Sequence, residues 1–134
     1  PPVRVTFLGA RYTRAVVAGC EHVDDFLAWD DIADAPVPAL RALGADVVLH
    51  VFPRKEIAVA ALRAGIPLRV GTRNRLFHWF TCNRLLALSR KASDLHESQL
   101  NLKFLEAFGI QRSFSLGEIH GFYGFRPTER LVEA

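Results

Sequence analysis

A basic segment without any acidic residue runs from position 71 to position 91 of the 134-residue chain. Its cationic residues are Arg73, Arg75, Arg84, Arg90 and Lys91, and the aromatic residues among them are Phe77, Trp79 and Phe80. Arginine binds phosphate and carboxylate groups through paired hydrogen bonds, and lysine supplies a point charge. Aromatic rings beside arginines suit sugar faces, stacked bases or a membrane surface. The segment therefore indicates an anionic partner, with core packing as the alternative for each single ring.

The positive charge is concentrated in one part of the chain. Residues 54–91 contain nine Lys and Arg and one acid, Glu56, which makes +8. The remainder contains eight Lys and Arg and thirteen acids, which makes −5, and six of those acids lie between positions 21 and 34. The overall charge of +3 is therefore the sum of a basic part, which can bind an anion, and an acidic remainder. The alternative is a solvated face without a partner.

Short apolar segments alternate with helix-like runs along the chain. The segments 3–9, 25–29, 46–52 and 67–71 are rich in Val, Ile, Leu and Phe, as expected for strands. A glycine that can adopt the left-handed conformation ends each helix-like run. These glycines are Gly19, Gly44, Gly65 and Gly109. The alternation predicts a single Rossmann-like, three-layer α/β domain over residues 1–134, with a parallel sheet.

The basic residues follow the predicted strands. Two come after the third strand, two come after the fourth, and two precede a helix predicted over 94–108, which Asp94 and Glu97 would start as a capping box. The carboxyl ends of parallel strands share one edge of a sheet, where ligands bind. Helix N-termini at that edge add partial positive charge. The predicted substrate-binding residues are Arg54, Lys55, Arg73, Arg75, Arg90 and Lys91.

Motifs for catalysis or metal binding are lacking. The sequence contains no glycine-rich dinucleotide or phosphate-binding loop and no nucleophile elbow. Cys20 and Cys82 lack metal-ligand spacing and fit a reduced, cytoplasmic compartment. His50 is interpreted as a satisfied core histidine, His78 as a packed, surface or ligand-contacting residue, and His96 as a structural residue. The sequence therefore predicts no metal site and identifies no catalytic residue.

Two separated patterns resemble one protein family. The first is AGIPLRVGT, residues 64–72, followed by the basic and aromatic segment. The second is H-E-x-x-x-N-x-x-x-L-E-A-x-G-I, matched by His96, Glu97, Asn101, Leu105, Glu106, Ala107, Gly109 and Ile110. Together they resemble the acceptor-side domain of the family 9 glycosyltransferases, the bacterial ADP-heptose:lipopolysaccharide heptosyltransferases and their relatives. The resemblance covers residues 45–110 strongly and residues 1–44 loosely.

The resemblance implies a GT-B architecture, in which two Rossmann-like domains enclose the active site. The chain would be the N-terminal domain, which receives a phosphorylated, acidic inner-core glycolipid in the cytoplasm or at the inner-membrane surface. The donor, expected to be ADP-heptose, would bind a C-terminal domain that the chain lacks, and no metal or other cofactor is implied. The family's catalytic Asp lies on a first strand and turn that have no match here. On this interpretation the chain alone transfers no sugar and can self-associate through an open sheet edge.

Two other functions stay open. A non-catalytic α/β module that binds nucleic acid or another anionic partner would also use Arg and Lys beside aromatic rings. The sequence has no nucleic-acid motif, and its acidic stretch over 21–34 would repel a phosphate backbone. A catalytically inactive regulatory remnant is the third possibility. Salt dependence separates nucleic-acid binding from a sugar-phosphate site, because the former falls steeply with salt.

Overall fold

The computed structural model describes residues 2–89, 91 and 93–126. The described chain forms two compact units, one made of residues 2–34 and 120–126 and the other of residues 35–119. Each unit contains a small parallel sheet with helices in the connections between strands. This mixed α/β architecture confirms the fold class predicted from the sequence.

The first unit is built on a pair of parallel strands. In chain order its elements are β1 (Thr6–Gly9), a 3₁₀ helix (Arg11–Thr13), α1 (Arg14–Val17), β2 (Asp25–Ala28) and α2 (Trp29–Ile32). β1 and β2 pair in register from Thr6 opposite Asp25 to Gly9 opposite Ala28. Asp30, in the first turn of α2, has a structural contact, because the Arg11 main-chain N–H donates to Asp30 Oδ2 at 2.6 Å.

Gly19 does not adopt the left-handed conformation that the sequence predicted. It is buried, and the next residue, Cys20, forms an isolated antiparallel bridge with Phe125. A Cβ at Gly19 would lie 2.6 Å from the Arg126 carbonyl oxygen and 2.9 Å from the Phe125 ring. Glycine is therefore needed here for the close approach of residues 125–126, and not for a helix end.

The second unit carries a three-stranded sheet. In chain order its elements are α3 (Pro36–Leu43), β3 (Val47–Leu49), α4 (Lys55–Ala64), β4 (Leu68–Thr72), α5 (His78–Thr81), β5 (Arg84–Leu86), α6 (Glu97–Leu102), a 3₁₀ helix (Lys103–Phe108) and α7 (Leu116–His120). The strands are parallel and lie in the order β3–β4–β5. The sequence did not predict β5, which lies inside the basic segment.

Burial and helix ends in the second unit follow from the sequence pattern. Val70 on β4 is completely buried, and the apolar cluster around it also contains Leu86, Leu88, Leu100 and Phe104. This cluster packs one side of the sheet against α6 and the following 3₁₀ helix. Three glycines end helices with positive φ, as predicted, at 65°, 78° and 80°. They are Gly44, Gly65 and Gly109.

The long helix predicted over 94–108 begins later and changes form. His96 is its N-cap: Nδ1 accepts the Ser98 N–H at 3.2 Å, and Gln99 Oε1 accepts the His96 N–H at 3.0 Å. The predicted capping box of Asp94 and Glu97 is therefore wrong by two residues, because the imidazole nitrogen performs the acceptor role of a Ser or Asp. The structural role predicted for His96 is confirmed.

Candidate functional site

The carboxyl ends of β3 and β4 are held side by side. The His50 N–H donates to the Val70 carbonyl at 2.9 Å, and the Arg73 N–H donates to the Leu86 carbonyl at 3.0 Å. Each bond extends the ladder one residue beyond a strand end. The loops that follow, residues 50–54 after β3 and residues 73–77 after β4, therefore begin at the same edge of the sheet. We call this the carboxyl edge.

Four of the six predicted binding residues belong to the carboxyl edge. Arg54 is the N-cap residue of α4, and Lys55 is the first residue of that helix. Arg73 and Arg75 lie in the loop between β4 and α5. All four are exposed. The structure thus places these four cations on adjacent connections, as the strand pattern indicated.

The remaining two predicted residues come after β5. Lys91 is exposed and lies in a turn. Arg90 lies outside the described residues. Arg84 is the first residue of β5 and lies at the amino end of that strand. It is therefore not part of the carboxyl edge.

The four cations of the carboxyl edge differ in their side-chain contacts. Arg54 Nε lies 3.9 Å from Glu56 Oε2, and the two side chains are 46% and 66% exposed, so that this pair contributes little to stability. In the described part of the chain, the side chains of Lys55, Arg73 and Arg75 have no hydrogen bond and no ion pair. Their positive charge is accordingly available to an anion.

Trp79 fixes the loop that carries two of the cations. Its indole Nε1 donates to the Arg73 carbonyl at 2.9 Å, although 56% of the residue is exposed. The Thr81 hydroxyl donates to the Phe77 carbonyl at 2.7 Å at the other end of the loop. The loop backbone is therefore held by side chains of α5, while its own charged side chains extend into solvent.

Two buried histidines lie beneath this loop. His78 is fully buried, and its Nδ1 accepts the Thr72 N–H at 2.9 Å, which assigns the proton of the neutral ring to Nε2. The His50 ring lies 5.4 Å from it, centroid to centroid. Among the described residues, Nε2 of each ring is buried without a hydrogen-bond partner. The prediction of a satisfied His50 is therefore wrong: the residue is in the core, but one of its nitrogens is unpaired.

Both histidines are neutral at pH 7. Burial, with smaller contributions from His78 and Arg69, lowers the pKa of His50 to about 4. Burial also lowers the pKa of His78; a hydrogen bond with the Thr72 main chain opposes this shift, and the charge of Arg75 reinforces it. The positive charge of the carboxyl edge consequently comes from Lys and Arg alone.

Gly71 allows His78 to pack against β4. A Cβ at this position would lie 2.6 Å from His78 Nδ1 and 2.7 Å from Cys82 Sγ. Of the alternatives left open for His78, the packed one is therefore observed, whereas Gly71 had been given no role beyond the strand. A glycine inside a strand followed by a histidine seven residues later was the available signal, because such a glycine often marks a close approach.

The two sequence patterns that carried the family resemblance encode structure at several positions. Arg69 donates from Nε to the Thr81 carbonyl at 2.8 Å and from Nη1 to the Ile66 carbonyl at 2.6 Å. It thereby ties the start of β4 to the end of α5. In the second pattern, His96 caps α6 and Gly109 ends the 3₁₀ helix.

The residues that the structure describes contain no group of three or more His, Cys, Asp and Glu that could hold a metal ion. Burial raises the pKa of the Cys82 thiol, which makes it a poor nucleophile. Within the described ranges, no helix combines the length and the apolar composition needed to cross a bilayer.

Comparison with known proteins supports the fold. No protein-family model and no curated protein sequence matches the chain. The structure is similar to the crystal structure of a glycosyl transferase family 9 protein from Veillonella parvula DSM 2008, with a TM-score of 0.64 and 16% sequence identity. The match covers 84% of this chain and 34% of that protein, so the chain spans about a third of its length. The predicted Rossmann-like fold is thus found in part of a family 9 structure.

Proposed function

We propose that the chain is the acceptor-binding part of a glycosyltransferase. The observation that carries the proposal is the group of exposed cations on adjacent connections of a parallel sheet, Arg54, Lys55, Arg73 and Arg75. The carboxyl edge of such a sheet is where ligands bind. The structural likeness to a glycosyl transferase family 9 protein supports sugar transfer as the reaction to which this binding contributes.

The proposed acceptor is a phosphorylated or acidic glycolipid of the lipopolysaccharide inner core. Its phosphate and carboxylate groups would accept hydrogen bonds from the guanidinium groups, which match both anions in geometry, and Lys55 would add a point charge. Lys91 and Arg90 are proposed to extend this contact. The transferred sugar would be a heptose or a related sugar from a nucleotide sugar such as ADP-heptose. These residues would take part in neither donor binding nor catalysis.

Calorimetric titration tests the proposal with a delipidated, phosphorylated core oligosaccharide as the ligand. Each charge-assisted contact contributes about 1.5–3 kcal/mol, so Arg73→Ala should weaken binding roughly ten- to a hundredfold. Arg73→Lys should also weaken it, because lysine cannot form a bidentate contact. Circular dichroism confirms that each variant remains folded.

Arg41→Ala is the matched control. Arg41 lies in the last turn of α3 and donates to the Arg63 carbonyl at 3.1 Å, near the opposite ends of the strands. Its removal lowers the net charge equally but should leave affinity unchanged. Equal affinity of wild type and Arg73→Ala would refute the proposal. Tighter binding to duplex DNA than to oligosaccharide, falling steeply with salt, would support the nucleic-acid module instead.

A further inference from the structure

A polar cavity of about 320 Å³ lies in the second unit, away from the residues of the carboxyl edge. It is lined by α6 and the 3₁₀ helix that continues it, and by the segment 111–114 that follows them. This volume is at the lower end of the range for sites that bind small molecules. The cavity therefore has the size of a site for a small metabolite, and not for a polymer.

Hydrogen bonds and an ion pair hold the segment 111–114 in place. The side-chain amide of Gln99 in α6 donates to the Phe114 carbonyl at 2.9 Å. Arg112 forms an ion pair with Glu118, and its guanidinium lies 4.8 Å from the centre of the Phe114 ring. Glu118 also accepts the Ser115 N–H at 2.8 Å. The wall of the cavity is thus formed before any ligand binds, and these side chains are engaged within the protein.

Two side chains of opposite charge line the same cavity without a partner among the described residues. Lys103 begins the 3₁₀ helix, and Glu106 lies three residues later, which is one turn of such a helix. Their side chains therefore leave the helix on the same face, about 6 Å apart along its axis. Both residues are partly buried, and in the described ranges neither side chain has a hydrogen bond or an ion pair. On the facing segment, Gln111 and Ser113 likewise have no side-chain hydrogen bond in these ranges.

The two charges decide between classes of ligand. Glu106 would repel an anion such as phosphate, and Lys103 would repel a cation. A neutral polyol would remove water from both charged groups without compensating either charge. A ligand that carries one ammonium group and one carboxylate complements both, through charge-assisted hydrogen bonds. Leu95 and Phe114 add apolar surface to the cavity, which favours an apolar side chain on that ligand.

We propose that this cavity binds a free α-amino acid with an apolar side chain, whose carboxylate contacts Lys103 and whose ammonium group contacts Glu106. The Ser113 hydroxyl would donate a second hydrogen bond to the carboxylate, and the Gln111 side-chain carbonyl would accept one from the ammonium group. The inference goes beyond the proposed function and does not rest on it, because the two sites share no residue.

Titration with leucine and two analogues, followed by NMR of the ¹⁵N-labelled 134-residue chain at pH 7, tests the inference. L-Leucinamide lacks the carboxylate, and N-acetyl-L-leucine lacks the ammonium group. L-Leucine should cause saturable shifts in main-chain amide signals between residues 103 and 113. Because each analogue loses one charge-assisted contact, it should bind roughly ten- to a hundredfold more weakly than L-leucine.

Substitution of either charged residue should remove the preference for one ligand group. Lys103→Gln should weaken L-leucine binding roughly ten- to a hundredfold and leave L-leucinamide binding almost unchanged. Glu106→Gln should do the same for L-leucine and N-acetyl-L-leucine. Asp46→Asn is the matched control, because it removes an exposed carboxylate elsewhere in the second unit and should not change the affinity. The amide spectrum of each variant shows whether it remains folded.

The outcomes also separate this inference from the proposed function. Absence of a saturable response to L-leucine up to about 10 mM would overturn the inference, and so would equal binding of L-leucine and both analogues. Saturable shifts with glucose but not with L-leucine would identify a neutral sugar as the occupant and also overturn it. Arg73→Ala, which tests the acceptor site, should leave L-leucine binding unchanged, and Lys103→Gln should leave oligosaccharide binding unchanged.

Discussion

Lowering the pH from 7.5 to 5 should destabilise the second unit, because His50 is buried and must take up a proton when the chain unfolds. The pKa of His50 is about 4 in the folded chain and 6.5 as its ordinary value. The unfolded state therefore binds more protons between these two values, and the free energy of unfolding falls as the pH falls through this interval. Above pH 6.5 the histidine is neutral in both states and contributes no pH dependence.

The size of the effect follows from the pKa difference. At about 1.4 kcal/mol per pH unit below 6.5, roughly 2 kcal/mol is lost by pH 5, and about 3 kcal/mol by pH 4. His78 adds in the same direction, because burial also lowers its pKa. The carboxylates with lowered pKa, Asp25 and Glu118, have ordinary values of 3.8 and 4.5, so they act mainly at more acidic pH. The interval from pH 6.5 to 5 therefore reports on the histidines.

Urea unfolding followed by circular dichroism at intervals from pH 7.5 to 4.5 measures this loss. His50→Leu removes both the titrating group and its unpaired Nε2, and replacing a buried unsatisfied polar group by an apolar one is close to neutral or stabilising. At pH 7.5 this variant should be at least about as stable as the wild type, and it should lose less stability at pH 5. His120→Gln, at an exposed histidine, should retain the wild-type pH dependence. A wild-type stability that is flat from pH 7.5 to 5, or a His50→Leu variant with an undiminished loss, would refute the reasoning.

Three further predictions concern the scaffold. Gly71→Ala should lower the free energy of unfolding, measured by thermal unfolding, by roughly 1–3 kcal/mol, because the added Cβ would overlap His78 Nδ1. Gly117→Ala is the control and should leave the free energy of unfolding almost unchanged, because the nearest atom to its Cβ is Ser115 Oγ at 3.9 Å. His96→Ala should cost about 1 kcal/mol through loss of the cap, and an equal cost for Asp94→Ala would contradict the cap assignment. In the described residues β1 and β2 pair only with each other, so each strand has an open edge that can pair with another chain. Sedimentation velocity should therefore show self-association as the concentration rises, and a monomer at every concentration would contradict this prediction.

The sequence was sufficient to predict the features that depend on local pattern. Alternation of apolar and helix-like segments indicated four of the five strands, and glycine placement indicated three helix ends. β5 was not predicted, because three residues inside a charged segment carry too little periodicity and are stabilised by pairing with β4. The carboxyl-edge cations could be predicted because strand ends determine their placement.

Features that depend on tertiary contacts could not be predicted from the sequence. His50 was correctly expected to be buried, but the missing partner at Nε2 depends on the position of the His78 ring, which comes from another connection. The capping residue of α6 was misassigned because Asp94 has a better cap propensity than His96, and the observed choice depends on where the helix packs. Similarly, Gly19 looked like a helix end because its contact with residues 125–126 is distant in the sequence.

At the carboxyl edge, the residues proposed to bind the ligand differ from the residues that stabilise the loop, so that binding can be tested separately from stability. Arg73 and Arg75 are exposed, so replacing them should change the free energy of unfolding by no more than about 0.5 kcal/mol. The groups that hold their loop, Trp79 at its surface and His78 beneath it, are instead bonded to the main chain. Because both buried histidines are neutral, mild acidification adds no charge to the edge before it begins to weaken the scaffold. Substitutions of the cations therefore test what the edge binds, whereas substitutions of the residues beneath it test what keeps those cations in place.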